Sequence, residues 1–196
     1  MNRALDATVA ALALLIAAPL MVAAMIAIRI ESRAPAVYRQ RRVGLRGEPF
    51  ELLKLRTMVP GAEALGAGLA VNAGDPRITR VGALLRRWSL DELPNLVNVL
   101  RGEMAIVGPR PTIQAQVDQY TERQRRRLEV KPGITGWAQV NGRASLPWNE
   151  RIDLDVWYVD HRSLWLDLRI LARTGRMLLT GDGLYKGDTG GWRPTA

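Results

Sequence analysis

The chain has 196 residues, a formal net charge of +9, one histidine and no cysteine. Its length suffices for one domain with a real core, and its charge points to an anionic partner: nucleic acid, an anionic lipid surface or a phosphorylated substrate. Disulfides, zinc-thiolate sites, thiol nucleophiles and multi-histidine metal sites are excluded, and a Ser-His-Asp triad would have to be built around His161. Chemistry therefore falls to carboxylates, arginines and lysines, with a hard oxygen-ligated ion such as magnesium if a metal takes part.

In chain order, residues 7–28 come first, without a charge and nearly all Ala, Leu, Val, Ile or Met. As a straight helix this run spans about 33 Å, against a hydrocarbon core of about 30 Å. A secretory signal has a shorter apolar core of about 7–15 residues and a small-residue cleavage site. This run is longer and leads directly into basic sequence, so it reads as a retained membrane segment. Pro19 removes a backbone donor near its middle and predicts a kink. Arg3 precedes the run and Arg29, Arg33, Arg39, Arg41 and Arg42 follow it, so charge gives no clean inside–outside bias. Two arrangements remain open: a kinked spanning helix, or a helix that breaks at Ala18-Pro19 and returns to the face it entered.

Residues 35–50 read as short extended pieces around Gly44 and Gly47, with Val37-Tyr38 and residues 50–55 as candidate strands. Residues 60–76, rich in Gly and Ala, predict a loop or weak helix. A helix is expected over 78–87, with Val81, Leu84 and Leu85 on one face. The most informative stretch follows: Ser89-Leu90-Asp91-Glu92-Leu93-Pro94-Asn95. Ser89 and Glu92 have the spacing of a capping box, which predicts a helix start with both acids in its first turn. Free backbone N–H groups there attract phosphate, and one carboxylate can act as nucleophile or base while its neighbour holds a metal. Taken alone, the same spacing reads first as a well-capped surface helix.

The helix is expected to run over 93–100 and stop at Gly102. Gly108-Pro109-Arg110-Pro111 is a rigid loop whose backbone presents its arginine. Residues 117–128 predict a charged helix, with Arg123, Arg125, Arg126 and Arg127 on a solvated face. Residues 131–137 form a turn-rich loop, followed by Asn141-Gly142-Arg143. Residues 148–179 are helical and amphipathic. Their aromatic residues Trp157, Tyr158 and Trp165 suit a membrane interface, and 163–179, with Arg169, Arg173 and Arg176, suit either the headgroup plane or a buried core. The last dozen residues read as a flexible tail.

With these residues in view, the chain resembles the bacterial sugar transferases, the monotopic phosphoglycosyl transferases that start glycan assembly on polyprenyl phosphate. The resemblance runs from Arg3-Ala4-Leu5-Asp6 to about Leu171. Its blocks, in order, are Lys54-Leu55-Arg56-Thr57-Met58, Asp75-Pro76-Arg77-Ile78-Thr79, Ser89-Leu90-Asp91-Glu92-Leu93-Pro94, Gly108-Pro109-Arg110-Pro111, Lys131-Pro132-Gly133-Ile134-Thr135-Gly136-Trp137 and Leu154-Asp155-Val156-Trp157-Tyr158. Each block is weak alone; their order makes the signal.

The resemblance implies an α/β fold with mostly helices. Residues 1–34 would form a re-entrant membrane helix and its flank, 35–184 a cytoplasmic catalytic domain with interfacial helices, and 185–196 a tail. Asp91 matches the nucleophile that takes a phosphosugar from a UDP-sugar, expels UMP and passes it to polyprenyl (undecaprenyl) phosphate. Glu92 matches the acid that binds Mg2+. Lys54, Arg87 and Arg110 would hold phosphate oxygens, with Arg143 as a further nucleotide contact. The remaining partner is the lipid bilayer, on the cytoplasmic face of the bacterial inner membrane, with no nucleic acid; a homodimer is left open. Many family members have Ser-Pro at the helix break, where this chain has Ala18-Pro19. Two alternatives remain: a membrane-tethered basic protein that binds anionic lipid or nucleic acid, and a Mg-dependent nucleotide-sugar diphosphatase that transfers to water. No segment carries a readable code for the sugar.

Overall fold

The apolar amino-terminal run forms α1 (Arg3–Ser32), 30 residues and about 45 Å long at ~1.5 Å per residue. The computed structural model describes residues 2–65, 71, 74–142 and 145–180, so Arg143 and the expected tail lie outside the described residues. Asn2 caps α1 by accepting from the Leu5 N–H at 2.9 Å, and Arg33 closes it in the left-handed region at φ 54°. The helix is assigned without interruption through Ala18 and Pro19, so no break of the backbone assignment occurs at that pair. A proline inside a helix forfeits one main-chain bond, and the flanking turns continue here regardless.

One stripe of α1, including Asp6, Ala10, Ala24 and Ile28, is buried against the rest of the protein, and Leu12, Leu15, Ile16, Val22, Ile26 and Ile30 are exposed. The helix is long and apolar enough to cross a membrane. Both of its ends are nevertheless bonded to the folded body. The Arg3 guanidinium donates to the carbonyls of Val99 and Leu100, both at 2.5 Å, at the carboxyl end of α3 (Asn95–Arg101). Asp6 Oδ1 accepts the Ile106 N–H at 3.0 Å. At the other end, the Glu31 carboxylate accepts from the N–H groups of Arg80 (2.8 Å) and Val81 (3.1 Å). Those donors open α2 (Arg80–Arg87), where an anion meets unsatisfied amides.

Strands β1 (Val37–Val43) and β2 (Pro49–Leu55) form an antiparallel hairpin in register from Val37↔Leu55 to Val43↔Pro49. The two candidate strands are thus present and longer than their apolar cores. The helix expected over 78–87 begins at Arg80, because Ile78 bridges Met58 and Thr79 caps the helix by accepting from the Gly82 N–H at 2.9 Å. Gly82 is a close-approach position: a Cβ there would lie 2.0 Å from the Thr57 carbonyl oxygen. Leu85 is buried, but Leu84 is 59% exposed, so the expected apolar face is only partly turned inward.

After α3, which Gly102 stops at φ 83°, β3 (Ala105–Val107) pairs in parallel with β4 (Gly133–Thr135). The β4 segment reads as a loop in sequence because it is only three residues long and glycine-flanked. Those glycines are needed: a Cβ on Gly133 would lie 2.1 Å from the Gly108 nitrogen, and one on Gly136 would lie 2.1 Å from the Gly108 oxygen. The single charged helix expected over 117–128 is instead α4 (Gln114–Val117), α5 (Glu122–Arg125) and a 3-10 turn (Arg126–Glu129). A capping box between Thr121 and Gln124 restarts the helix there. Arg127, expected on a solvated face, is only 7% exposed.

The short helix α6 (Trp137–Val140) leads to α7 (Trp148–His161) and α8 (Leu164–Thr180). The amphipathic segment is therefore two helices, parted at Arg162-Ser163, where the Ser163 hydroxyl accepts from the Leu166 N–H at 3.2 Å. Tyr158, expected at the interface, is buried and donates its hydroxyl to Asp167 at 2.7 Å. Leu166 and Ile170 point inward, whereas Leu164, Trp165 and Leu168 are exposed. The main core joins Ala10, Leu52, Val99, Met104, Ile106, Tyr158 and Ile170, so α1 and α8 pack onto the same body. A second cluster seats Ala24 and Ile28 against Leu55 and Leu85.

Candidate active site

The two acids sit on a 3-10 turn (Leu90–Glu92), with α3 beginning only at Asn95. The capping box expected at Ser89 is not formed. Ser89 has φ 53° in the left-handed region, whereas an N-cap needs extended backbone, and its side chain makes no capping bond. A tight turn after α2 thus replaces the helix start, and it carries Asp91 and Glu92 against β2 and the 108–112 loop.

Glu92 is gripped from both sides. Lys54 Nζ, on β2, donates to its Oε1 at 2.9 Å, while Arg110 donates from Nη2 to Oε1 at 2.5 Å and from Nη1 to Oε2 at 3.4 Å. The Glu92 side chain is 12% exposed and that of Arg110 44%, so the group opens to solvent on the Arg110 side. Burial alone would raise the Glu92 carboxyl, but Arg110 and Lys54 outweigh it and hold it well below the usual carboxylate range. Burial lowers the Lys54 ammonium, with Arg110 adding to the effect against the pull of Glu92.

Asp91 behaves in the opposite sense. Burial raises its carboxyl and Glu92 adds to the rise, while Lys54, Arg86 and Arg110 pull back without cancelling it. Among the described residues no ion pair engages Asp91. Adjacent carboxyls pushed apart in this way take different roles: Glu92 is a fixed anion, and Asp91 is the carboxyl whose charge the surroundings tune.

Two further cations face the pair. The half-buried Arg42 donates to Gln40 Oε1 from Nε (3.0 Å) and Nη2 (2.5 Å), and to the Pro111 carbonyl from Nη1 (3.4 Å). Burial and the nearby Arg110 push it down to about 10. Arg86 Nε donates to Thr57 Oγ1 at 2.8 Å, and its charge acts on Asp91. With Lys54 and Arg110, four cations surround two carboxylates, and the surplus suits a ligand bearing several negative charges.

Of the residues expected from sequence, Asp91, Glu92, Lys54 and Arg110 are brought together. Arg87 is exposed at the end of α2, with its guanidinium 5.6 Å from the Trp88 ring centre, and Arg86 supplies the α2 charge on Asp91. His161 stacks on Trp157 at 4.2 Å with Nδ1 on the Trp157 carbonyl, and no triad forms around it among the described residues. Sequence reasoning missed Arg42 as a member of the site. The signal was there: Tyr38, Gln40 and Arg42 alternate along β1, and the register puts them on the face that carries Lys54.

A metal was expected on Glu92. Among the described residues no three metal-binding side chains cluster. The donor set is Asp91 and Glu92 alone, with Glu92 already shared by two cations. This fits a magnesium ion held by one or two carboxylates, with the remaining positions filled by substrate phosphate and water; it does not fit an all-protein cage.

The sequence model of the family described as bacterial sugar transferase matches residues 1–181. The uncharacterized sugar transferase EpsL of Bacillus subtilis is 43% identical over 95% of this chain and 91% of its own length. The UDP-glucose:undecaprenyl-phosphate glucose-1-phosphate transferase of Caulobacter vibrioides is 46% identical over 94% of this chain and 72% of its own length. The undecaprenyl-phosphate galactose phosphotransferase of Salmonella typhimurium is 37% identical over 94% of this chain but 42% of its own, longer sequence. With its carboxylate pair set among four cations, this chain belongs to the bacterial sugar transferases and is a sugar-phosphate transferase.

Proposed function

We propose that the protein transfers a sugar 1-phosphate from a UDP-sugar to undecaprenyl phosphate in two displacements at Asp91. The Asp91 carboxylate attacks the sugar-linked phosphorus, the bond to the UMP oxygen breaks, and UMP leaves with that electron pair. A phosphate oxygen of the lipid acceptor then attacks the same phosphorus and frees the Asp91 carboxylate, giving a polyprenyl diphosphosugar. The arrangement that carries this reading is the unpaired, raised Asp91 carboxyl beside a Glu92 held by Lys54 and Arg110, within a cationic surplus.

Arg110 and Lys54 direct donors at Glu92, next to Asp91, and their charge, with that of Arg42 and Arg86, would stabilise phosphate oxygens brought to Asp91. Arg87 and Arg143 are assigned phosphate and nucleotide contacts from the family resemblance alone. Mg2+, when bound at Glu92, would neutralise the diphosphate of the donor. The Caulobacter vibrioides and Salmonella typhimurium relatives are named for undecaprenyl phosphate, and that acceptor is proposed here.

The exposed apolar face of α1 and the Leu164-Trp165-Leu168 strip of α8 are proposed to enter one leaflet of the cytoplasmic membrane, with the site on the cytoplasmic side. Ties from Arg3 and Asp6 at one end and Glu31 at the other favour both ends of α1 on that side. Single cysteines at Asn2 and Ser32, probed in intact cells with an impermeant thiol reagent, are expected to be protected. Labelling at Asn2 alone overturns the arrangement.

Incubation with a UDP-sugar labelled in the sugar and no acceptor tests the chemistry. The expected result is one equivalent of UMP and label bound to protein, released as lipid product when undecaprenyl phosphate is added. Continuous UMP release without lipid would instead make the enzyme a diphosphatase.

A further inference from the structure

The 108–112 loop that presents Arg110 is pinned along its main chain. The Gly108 N–H donates to the Thr135 carbonyl at 2.9 Å, and the Pro109 carbonyl accepts the Gly133 N–H at 2.9 Å. The Thr112 carbonyl accepts the Val43 N–H at 2.8 Å. The carbonyl of Arg110 itself is held differently, by a buried side chain: Arg127 Nη2 donates to it at 3.0 Å. The same Nη2 donates to Asp155 Oδ2 at 2.5 Å, and Arg127 Nη1 donates to the Tyr120 hydroxyl. Tyr120 in turn donates to Thr112 Oγ1 at 3.2 Å, on the same loop. Arg127 and Asp155 are 7% and 2% exposed, so neither reaches a ligand from bulk solvent.

A buried ion pair is weak support for stability. Desolvating both ions offsets their attraction, and apolar residues of the same volume often serve as well. Direction is what this pair supplies. A guanidinium is a planar fork with fixed donors, so one side chain bridges a carboxylate on α7, a phenol after α4 and a carbonyl on the Arg110 loop. With that carbonyl fixed and a proline on either side, the Arg110 side chain leaves the backbone along a set vector toward Glu92.

We propose that Asp155 and Arg127 are positioning residues of the transfer reaction: they fix the carbonyl of Arg110 and so keep its guanidinium on Glu92. The inference rests on the reading of Arg110 as part of the reacting centre. Neither residue touches substrate; both act through Arg110.

The test is a double-mutant cycle on the full-length protein in bilayer nanodiscs, reading kcat and KM for a UDP-sugar with undecaprenyl phosphate. Arg110→Ala is expected to lower kcat/KM about 100-fold and Asp155→Asn about 10-fold, a scale set by what small misplacements of catalytic groups cost. If Asp155 acts through Arg110, the double variant falls no further than Arg110→Ala, within about 3-fold. An additive loss of about 1,000-fold, with Arg110→Ala impaired as expected, overturns the positioning role and leaves the reading of Arg110 standing. If Arg110→Ala turns over normally, that reading fails first and takes the proposal with it.

Should Asp155→Asn fail to fold, Tyr120→Phe carries the same cycle. It removes one partner of Arg127 without leaving a buried charge alone, and a loss of about 3-fold that vanishes in the Arg110→Ala background is expected. Persistence of the loss in that background overturns the proposal.

Discussion

The protein holds two clusters of charge that share one loop and differ in almost everything else. Around Glu92, four cations meet two adjacent carboxylates, and the Arg110 side chain is partly open to solvent. Around Arg127, a single carboxylate answers the guanidinium, both are buried, and the bonds run to main chain and phenol. The first is unbalanced, and among the described residues no ion pair engages Asp91; in the second, Arg127 is bonded to Asp155 Oδ2, while Asp155 Oδ1 is buried without a hydrogen-bond partner among the described residues. A surplus of charge at an open site costs stability unless an anion arrives, which is the arrangement a binding site needs. The buried cluster bonds Arg127 to main chain, phenol and carboxylate, and its proposed service is to hold direction.

The largest expected effect is on the open cluster. Asp91→Asn removes the attacking carboxylate without changing its shape, so turnover falls at least about 10³-fold, while relief of a buried, raised carboxyl leaves the melting temperature unchanged or higher. Melting by circular dichroism and UMP release on one preparation check both halves. Wild-type-like turnover would erase the functional difference between the clusters.

Glu92→Gln comes next. A neutral amide cannot balance Lys54 and Arg110 and is a poorer ligand for a hard cation. A loss of about 10²-fold is expected, with a higher Mg2+ concentration needed for half-maximal rate. If EDTA leaves the wild-type rate unchanged, the proposed metal role is wrong.

Part of this contrast could be read from the chain. Asp91, Glu92, Lys54 and Arg110 sit in short blocks whose residue types announce phosphate chemistry, and the structure gathers all four. Arg127 could not be assigned, because in sequence it is one of several arginines in a charged run, where the ordinary fate is solvation. Its burial depends on a break in the expected helix and on Asp155, 28 positions away. Ser89 misled for a related reason: the spacing of a capping box was present, but a left-handed backbone at Ser89 turned the acids onto a 3-10 turn. Local patterns record propensity, and tertiary contacts override it at the site. The strand β4 escaped notice because glycines that read as loop were selected for close contact with Gly108.

A smaller effect sharpens the pairing within the open cluster. Activity requires ionised Asp91, whose carboxyl is raised, so the acid limb of kcat/KM should lie above the ordinary aspartate range. Lys54 pulls that carboxyl down. Lys54→Met should therefore move the limb to higher pH, besides lowering the plateau about 10-fold or more. A limb that stays in place would separate Lys54 from Asp91.

The smallest effect belongs to the buried cluster and concerns stability. Burial pushes the Asp155 carboxyl up from 3.8 to about 6, against the pull of Arg127 and Arg151. Between those values the folded protein holds more protons at Asp155 than the unfolded chain does. Its contribution is therefore fully present below the ordinary carboxylate value and is lost as pH rises through about 6. Glu92 has the opposite sign: its depressed carboxyl contributes above the ordinary value and loses that contribution only as pH falls through the depressed one. Asp91, also raised, changes stability in the same direction as Asp155. The comparison must therefore be made between Asp155→Asn and wild type, with Asp91 present in both. Melting temperatures measured from pH 4 to 7 should decline with rising pH more steeply in wild type than in Asp155→Asn, since the amide cannot titrate. Parallel curves would mean that Asp155 has the same proton affinity folded and unfolded. The cluster at Arg127 would then be a plain ion pair, without the burial that sets it apart from the cluster at Glu92.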